Sequence, residues 1–178
     1  MKKQYTISVF TEDQIGLLNR VSIIFTRRHI NIESITASES EMQGIHRYTI
    51  VLHEAEDLVM KVVKQLEKQV DVVMAFYHGN DELIHQEIAL YKLETALLVS
   101  GGKVEKILRE HHARIISVEP DFTVIEKTGF KEDTQRLFNE LEPYGILEFA
   151  RSGRVAVTKP MKQLKEYLNE IEITTLKQ

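Results

Sequence analysis

Cysteine is absent from the 178-residue sequence, and its absence removes several kinds of function at once. The chain can form no disulfide, no thiolate metal site, no dithiol redox motif and no cysteine nucleophile. The absence also fits a reducing compartment, where structural disulfides are rare. Any function must therefore rest on other side chains or on the backbone.

Excess positive charge and long apolar runs are missing as well. The 23 Lys and Arg residues are outnumbered by 27 Asp and Glu residues, giving a formal net charge of −4. Such a balance offers no basic surface for nucleic acid. No apolar run approaches the roughly 18 residues of a membrane helix, and residues 1–5 lead into a strand-like pattern rather than a signal peptide. We therefore expect a cytoplasmic protein that binds neither nucleic acid nor membrane.

What is present suits a globular protein: 43% of the residues are hydrophobic and 28% are charged, over a length that accommodates two compact domains. In the first half, Tyr5, Ile7 and Val9 alternate with Thr6 and Ser8, which predicts a half-buried strand. The elements predicted after it are a helix over 15–28, a strand over 32–39, a strand through Tyr48, Ile50 and Leu52, a helix through Val59, Val62, Val63 and Leu66, and a strand over 70–77.

The second half repeats this β-α-β-β-α-β order after a polar stretch at 78–82. We predict an α+β fold of two tandem ferredoxin-like units, each with its helices on one face of an antiparallel sheet. The expected boundaries are a first domain at 1–78, a linker at 79–85, a second domain at 86–158, and a tail at 159–178 in which Leu164, Leu168 and Ile171 favour an amphipathic helix.

Catalytic and metal sites have no candidate in the sequence. The seven histidines form no i, i+4 ligand pair, so we expect them at solvent or interface positions. The third strand lacks the aromatic pattern of RNA-binding domains, and the glycines near position 101 lack phosphate-loop spacing. The sequence thus predicts a protein that is not an enzyme.

One segment, at the junction of the first strand and first helix, does suggest a binding mechanism. The first turn of a helix has unpaired amides and the positive end of the dipole, which attract a carboxylate. Gly16 falls there, and having no Cβ it lets a ligand approach the backbone. Asp13 would face a ligand's ammonium group, so the site suits an amino acid. Alternatively, Gly16 serves only close packing, Asp13 only caps the helix, and Asn31 only leaves it in the left-handed conformation.

Several motifs resemble a known family. Residues 12–21 (EDQIGLLNRV) resemble the opening of an ACT domain, the amino-acid-sensing module. Residues 28–36 (RHINIESIT) are similar to the R-G-x-N-I-E-S-L-T stretch of acetolactate (acetohydroxyacid) synthase small subunits. Segments 65–72, 87–92 and 150–155 resemble further motifs of that family in the same order. The chain is therefore identified as a member of this ACT-domain family.

The resemblance implies a non-catalytic regulatory subunit that activates the acetolactate synthase catalytic subunit. It also implies feedback inhibition by a branched-chain amino acid, with valine favoured over leucine and isoleucine. The thiamine diphosphate, Mg and FAD of the holoenzyme would belong to the catalytic partner, and this chain would hold no cofactor. A homodimer would form through the N-terminal domains, with the effector at their interface.

The family's effector contacts can be carried onto this sequence residue by residue. Gly16, Leu17 and Leu18 would supply backbone contacts beside Asp13, while Asn31 and Ile32 would come from the facing subunit. Three positions depart from the family pattern: Asp13 replaces asparagine, Asn19 replaces serine, and His29 replaces glycine.

Two rival functions remain at this point. A stand-alone amino-acid sensor could control another enzyme or transcription, although no DNA-reading element is evident. A small ferredoxin-like hydrolase, such as an acylphosphatase, would need an arginine loop after the first strand, where this chain has Glu12 and Asp13.

Overall fold

The computed structural model describes residues 1–99 and 102–159, which fall into two compact units. The first unit comprises Met1–Ile84 together with the described residues from Ala156 to Lys159, and the second comprises His85–Val155. The first unit contains β1 (Lys2–Glu12), α1 (Leu17–Thr26), β2 (Ile32–Glu39), β3 (Ile45–Ala55), α2 (Glu56–Leu66) and β4 (Val72–Gly79).

The four strands of the first unit form an antiparallel sheet in the order β2-β3-β1-β4. Both helices pack on one face of this sheet. Apolar residues at helical spacing lie on one side of each helix, and apolar residues at every second position lie on one face of the strands, so the two apolar surfaces meet. All four predicted positions of α2 are buried. The buried core comprises residues from both helices and three strands, including Ile7, Val9, Val21, Phe25, Ile50, Leu52, Val59 and Leu66.

The expectation that β1 is half-buried is wrong. Every residue from Tyr5 to Thr11 is buried, and Thr6 and Ser8 are about as inaccessible as their apolar neighbours in the strand. On this second face Arg47 donates from Nη2 to the Ala156 carbonyl at 2.7 Å and to the Ser8 hydroxyl at 3.3 Å. Serine and threonine score as polar in a periodicity pattern, but their short side chains can be buried when hydrogen-bonded.

The first helix is shorter at both ends than the predicted 15–28. It begins at Leu17 because Gly16 has φ 83°, outside the helical region. It ends at Thr26, and the following turn contains His29 at φ 53°. The Ile30 amide donates back to the Phe25 carbonyl at 3.0 Å, as in a left-handed helix cap. The left-handed residue is thus His29, and the suggestion that Asn31 has this role is wrong.

The rest of the described chain, from Asn80 to Thr158, repeats the same order of elements and forms the second sheet. After the 3-10 turn Asn80–Glu82 come β5 (Leu83–Glu94), α3 (Ala96–Val99), α4 (Lys103–Glu110), β6 (Arg114–Val118), β7 (Phe122–Gly129), α5 (Lys131–Leu141), a 3-10 turn at Glu142–Tyr144, β8 (Glu148–Arg151) and β9 (Val155–Thr158). The sheet order is β6-β7-β5-β8, and β9 also pairs with β5. The predicted α+β fold of two ferredoxin-like units is confirmed.

The second core is centred on Tyr91, Leu93, Ile125, Leu137 and Leu141, all fully buried. The Tyr91 hydroxyl donates to the Thr134 carbonyl at 2.6 Å, and burial raises the pKa of Tyr91 to about 12. The region predicted as a linker holds the first 3-10 turn and the start of β5, and α3 was not predicted. The amphipathic helix predicted in the tail lies outside the described residues.

Candidate functional site

The loop between β1 and α1 is held in place by backbone hydrogen bonds to two other connections. The Asp13 amide donates to the Gly44 carbonyl at 3.0 Å, which ties the loop to the β2–β3 turn. The Glu12 amide donates to the Asp71 carbonyl at 3.1 Å, beside the start of β4. These two hydrogen bonds fix the position of the loop that leads into α1. They therefore also fix the direction of the first backbone amides of that helix.

Gly16 is the N-cap residue of α1 and lies in the left-handed conformation, with φ 83° and ψ 0°. A Cβ added at this position would meet no atom of the described chain within 4 Å. The glycine therefore does not serve close helix–strand packing, and that alternative is wrong. It leaves open space directly against the backbone at the start of the helix.

At the amino end of α1, neither a capping side chain nor an acidic residue of the first turn offsets the positive end of the helix dipole. The Arg20 amide makes the first bond of the helical ladder, to the Gly16 carbonyl at 3.2 Å. The Leu17 amide donates to the Gln14 carbonyl at 3.4 Å. The amides between Leu17 and Arg20 have no carbonyl one turn before them within the helix, so they can donate to an external acceptor. A carboxylate is the acceptor that the helix dipole favours.

Asp13 does not cap α1, contrary to one alternative from the sequence. Its side chain is 67% exposed, and Oδ1 lies 3.5 Å from Nε2 of His46 on β3. This contact was not predicted from the sequence. The only sequence signal was the alternation of His46, Tyr48 and Ile50, which puts the imidazole on the same face as the core residues.

A second interaction missed from the sequence orients the helix. The Arg20 guanidinium on α1 forms an ion pair with the Asp71 carboxylate, whose side chain is only 11% exposed. The same Asp71 residue accepts the Glu12 amide through its backbone carbonyl. Arg20 belongs to the motif that predicted the site, and its role in the structure is to hold α1 against the segment before β4.

The two leucines of the motif point in different directions. Leu17 is buried in the core, so only its backbone can face a ligand. Leu18 is 48% exposed, and Ile15 is fully exposed. An apolar surface therefore flanks the open space at Gly16. This placement is compatible with backbone contacts from Gly16, Leu17 and Leu18.

Asn31 and Ile32 lie at the opposite end of α1 from Gly16. The helix has ten residues and so spans about 15 Å at 1.5 Å per residue. Asn31 is exposed, and Ile32 is partly buried at the start of the edge strand β2. The structure therefore brings Asp13, Gly16, Leu17 and Leu18 together but does not bring Asn31 and Ile32 to them within one chain.

The remaining titratable groups offer little for chemistry. Among the described residues, no group of three or more His, Asp or Glu side chains is arranged to hold a metal ion. His111, expected at a solvent or interface position, instead has a side chain that is 11% exposed and lies 3.0 Å from Glu140. That contact joins α4 to α5 and is part of the packing of the second unit. No helix in the described part of the chain is long and apolar enough to cross a bilayer.

Two family models match the chain, one for each half. The AHAS small subunit-like ACT domain matches residues 7–74, and the small subunit of acetolactate synthase matches residues 86–160. The first range contains the loop, helix and edge strand of the candidate site.

Named relatives match over nearly the whole length. The acetolactate synthase small subunit of Bacillus subtilis (strain 168) is 36% identical over 164 residues, covering 92% of this chain and 94% of the relative. That of Mycolicibacterium smegmatis is 34% identical over 155 residues, covering 87% and 91%. The crystal structure of the Thermotoga maritima acetolactate synthase small subunit matches with a TM-score of 0.80 at 26% identity, covering 90% of this chain and 99% of that one. The resemblance seen in the motifs is confirmed: the chain belongs to the acetolactate synthase small subunit family, and its first unit is an ACT domain.

Proposed function

We propose that this protein is the regulatory subunit of acetolactate synthase. It binds the catalytic subunit, raises its activity, and lets a branched-chain amino acid, valine foremost, inhibit it. The proposal rests on family membership for the partner. The observation that supports ligand binding is the uncapped start of α1 with open space at Gly16.

The effector site divides by chemistry into three parts. The backbone of Gly16, Leu17 and Leu18 receives the ligand's carboxylate at the positive end of α1. The exposed carboxylate of Asp13 receives the ammonium group. The exposed side chains of Ile15 and Leu18 offer apolar contact to a branched aliphatic side chain. The effector-binding region is residues 1–78, which a linker at 79–85 joins to the second domain at 86–158.

A second copy of the chain completes the site. Among the described strands, β2 lies at the edge of its sheet, and the edge strands of two copies can pair antiparallel about a two-fold axis. The two α1 helices then run in opposite directions, so the amino end of one lies near the carboxyl end of the other. Asn31 and Ile32 of the partner subunit would thus reach the Gly16 turn, which they cannot reach within one chain.

Inhibition requires that the effector bind the inhibited arrangement of the holoenzyme better than the active one. A coupling free energy of about 1–3 kcal/mol corresponds to the roughly 5- to 150-fold effects of such control. The thiamine diphosphate, Mg and FAD are held by the catalytic subunit, and this chain acts on them only through the interface between subunits.

Reconstitution with the catalytic subunit tests the proposal. Acetolactate formation is measured with and without this chain, and then during titration with valine, leucine, isoleucine and, as a control, alanine. We expect activation by the chain and inhibition by at least one branched-chain amino acid but not by alanine. Unchanged activity on adding the chain would contradict the proposed partner, and activation without inhibition would contradict the effector site.

The second unit supplies a matched control variant. Gly16→Asp places a carboxylate where the ligand's carboxylate binds, and aspartate tolerates the left-handed conformation better than most residues. Gly102 precedes α4 at φ 81° with equally open space, so Gly102→Asp also places an aspartate at a positive φ before a helix. We expect inhibition to be lost in Gly16→Asp and kept in Gly102→Asp.

A further inference from the structure

His46 occupies a specific place beneath the loop that leads to Gly16. The strand register puts it opposite Thr11 of β1 and opposite Glu39 of β2. It lies on the helix-bearing face of the sheet, since Tyr48 two residues later belongs to that core. Its Nε2 atom is 3.5 Å from Oδ1 of Asp13, and its side chain is 27% exposed. The imidazole thus touches the residue that departs from the family's asparagine.

The position of the Asp13 carboxylate is set from two sides. The Asp13 amide is fixed by its bond to the Gly44 carbonyl, and Oδ1 faces the imidazole of His46. Its other oxygen, Oδ2, has no hydrogen bond or ion pair to the described residues. The Asp13 carboxylate therefore lies at the base of the turn that ends at Gly16, with Oδ1 facing His46 and Oδ2 available to a ligand.

We propose that His46 is a positioning residue for the ammonium half of the effector site and makes effector affinity depend on pH. A neutral imidazole packs against Oδ1 of Asp13 and leaves the carboxylate its full negative charge for the ligand's ammonium. A protonated imidazolium neutralises that carboxylate and repels the ammonium. This inference rests on the function proposed above. It adds a dependence of effector affinity on pH, which an uncharged asparagine at position 13 could not provide.

The other charged groups near His46 do not account for the proposed dependence of effector affinity on pH. Glu39 faces it from β2, and Glu12 at the end of β1 accepts a hydrogen bond from Gln14 at 3.0 Å. Arg20 on α1 is paired with Asp71, and Arg47 points to the opposite face of the sheet. Carboxylates and guanidinium groups keep their charge between pH 8 and pH 6 as a class, whereas histidine side chains change theirs in that range.

Calorimetric titration of the full chain with valine at pH 8, 7 and 6 tests the inference. We expect wild-type affinity to fall on the order of threefold to tenfold from pH 8 to pH 6. This is the size expected for one added like charge near the bound ammonium in a largely solvated site. His46→Gln keeps a hydrogen-bond donor but cannot gain a charge, so its affinity should be nearly constant. Asp13→Asn should bind more weakly at pH 8 and also lack the pH dependence.

His53→Gln is the matched control, because His53 is an exposed residue of the same strand on the opposite face. This variant should retain the wild-type pH dependence. A His46→Gln variant that keeps the wild-type slope would overturn the inference while leaving the proposed effector site intact. Absence of valine, leucine and isoleucine binding to the wild-type chain at every pH would overturn the proposed site itself, and the inference with it.

Discussion

Arg20 and Asp71 form an ion pair that joins the first turns of α1 to the segment before β4. Asp71 is doubly engaged, because its carbonyl also accepts the Glu12 amide at 3.1 Å. One residue thus holds both the end of β1 and the start of the helix that follows it. The loop that carries Asp13 and Gly16 lies between these two attachments, so its geometry depends on them.

Removing the cation of this pair should destabilise the first unit. Arg20→Ala leaves the Asp71 carboxylate, 11% exposed, without its charged partner, and we expect a loss of about 1–3 kcal/mol in the free energy of unfolding. Urea denaturation measures the change. Lys61→Ala is the control, since the Lys61–Asp57 pair has both side chains more than 60% exposed and should change stability by less than about 0.5 kcal/mol. Equal effects in the two variants would contradict a structural role for Arg20.

The buried carboxylate of Glu126 predicts acid sensitivity of the second unit. Hydrogen bonds from Thr128 and Arg114 hold its pKa below the ordinary value, although burial opposes them. A lowered folded-state pKa means that the stabilisation is present above the unfolded-state pKa and is lost as pH falls through the folded-state pKa. Glu126→Gln should therefore flatten the pH dependence of stability below about pH 4.5, near the ordinary value for glutamate. Unfolding curves between pH 7 and pH 3 check this, and an unchanged slope would refute it.

The helices and strands were largely predictable from the sequence, because short-range periodicity determines them. The spacing of Val59, Val62, Val63 and Leu66 predicted the buried face of α2, and the predicted bounds of β2 agree with the structure. Burial of Ser8 was not predictable in the same way. It depends on what covers the second face of the sheet, which no local pattern records.

The candidate site was predictable only in part, for a similar reason. The motif around Gly16 predicted a helix whose first turn is accessible to a ligand, because a glycine directly before a helix can be recognised from neighbouring residues alone. The Asp13–His46 contact joins residues 33 positions apart in sequence and follows from the register of β1 against β3. Register is a property of the whole sheet, so a single strand pattern does not reveal which side chains meet across it.

His29 is strained by its left-handed conformation at φ 53°, which glycine adopts without cost. His29→Gly should raise the free energy of unfolding by about 0.5–1 kcal/mol, since relief of strain outweighs the added flexibility of the unfolded chain. His112 has φ 51° at the equivalent turn after α4, so His112→Gly should show a similar gain. His29→Val should be destabilising, because a β-branched residue tolerates this conformation poorly. Thermal and urea unfolding measure these differences, and a gain from His29→Val would contradict the assignment of strain.

Ile15 is a fully exposed apolar residue directly before Gly16. Because the proposed dimer brings Asn31 and Ile32 of the partner subunit to this turn, we expect the dimer to cover Ile15. Burying an isoleucine side chain stabilises an interface by about 1.5–3 kcal/mol, so Ile15→Lys should raise the dimer dissociation constant by at least about tenfold. Met60→Lys is the control: Met60 is 40% exposed on α2, which packs against β4 at the other edge of the sheet from β2. Sedimentation equilibrium measures both dissociation constants.

Because Asn31 and Ile32 of the partner subunit complete the site, the Ile15→Lys chain should also lose its response to valine at concentrations where it is monomeric. A stable Ile15→Lys dimer would show that the subunits associate through another surface, and that the Gly16 turn is open to solvent.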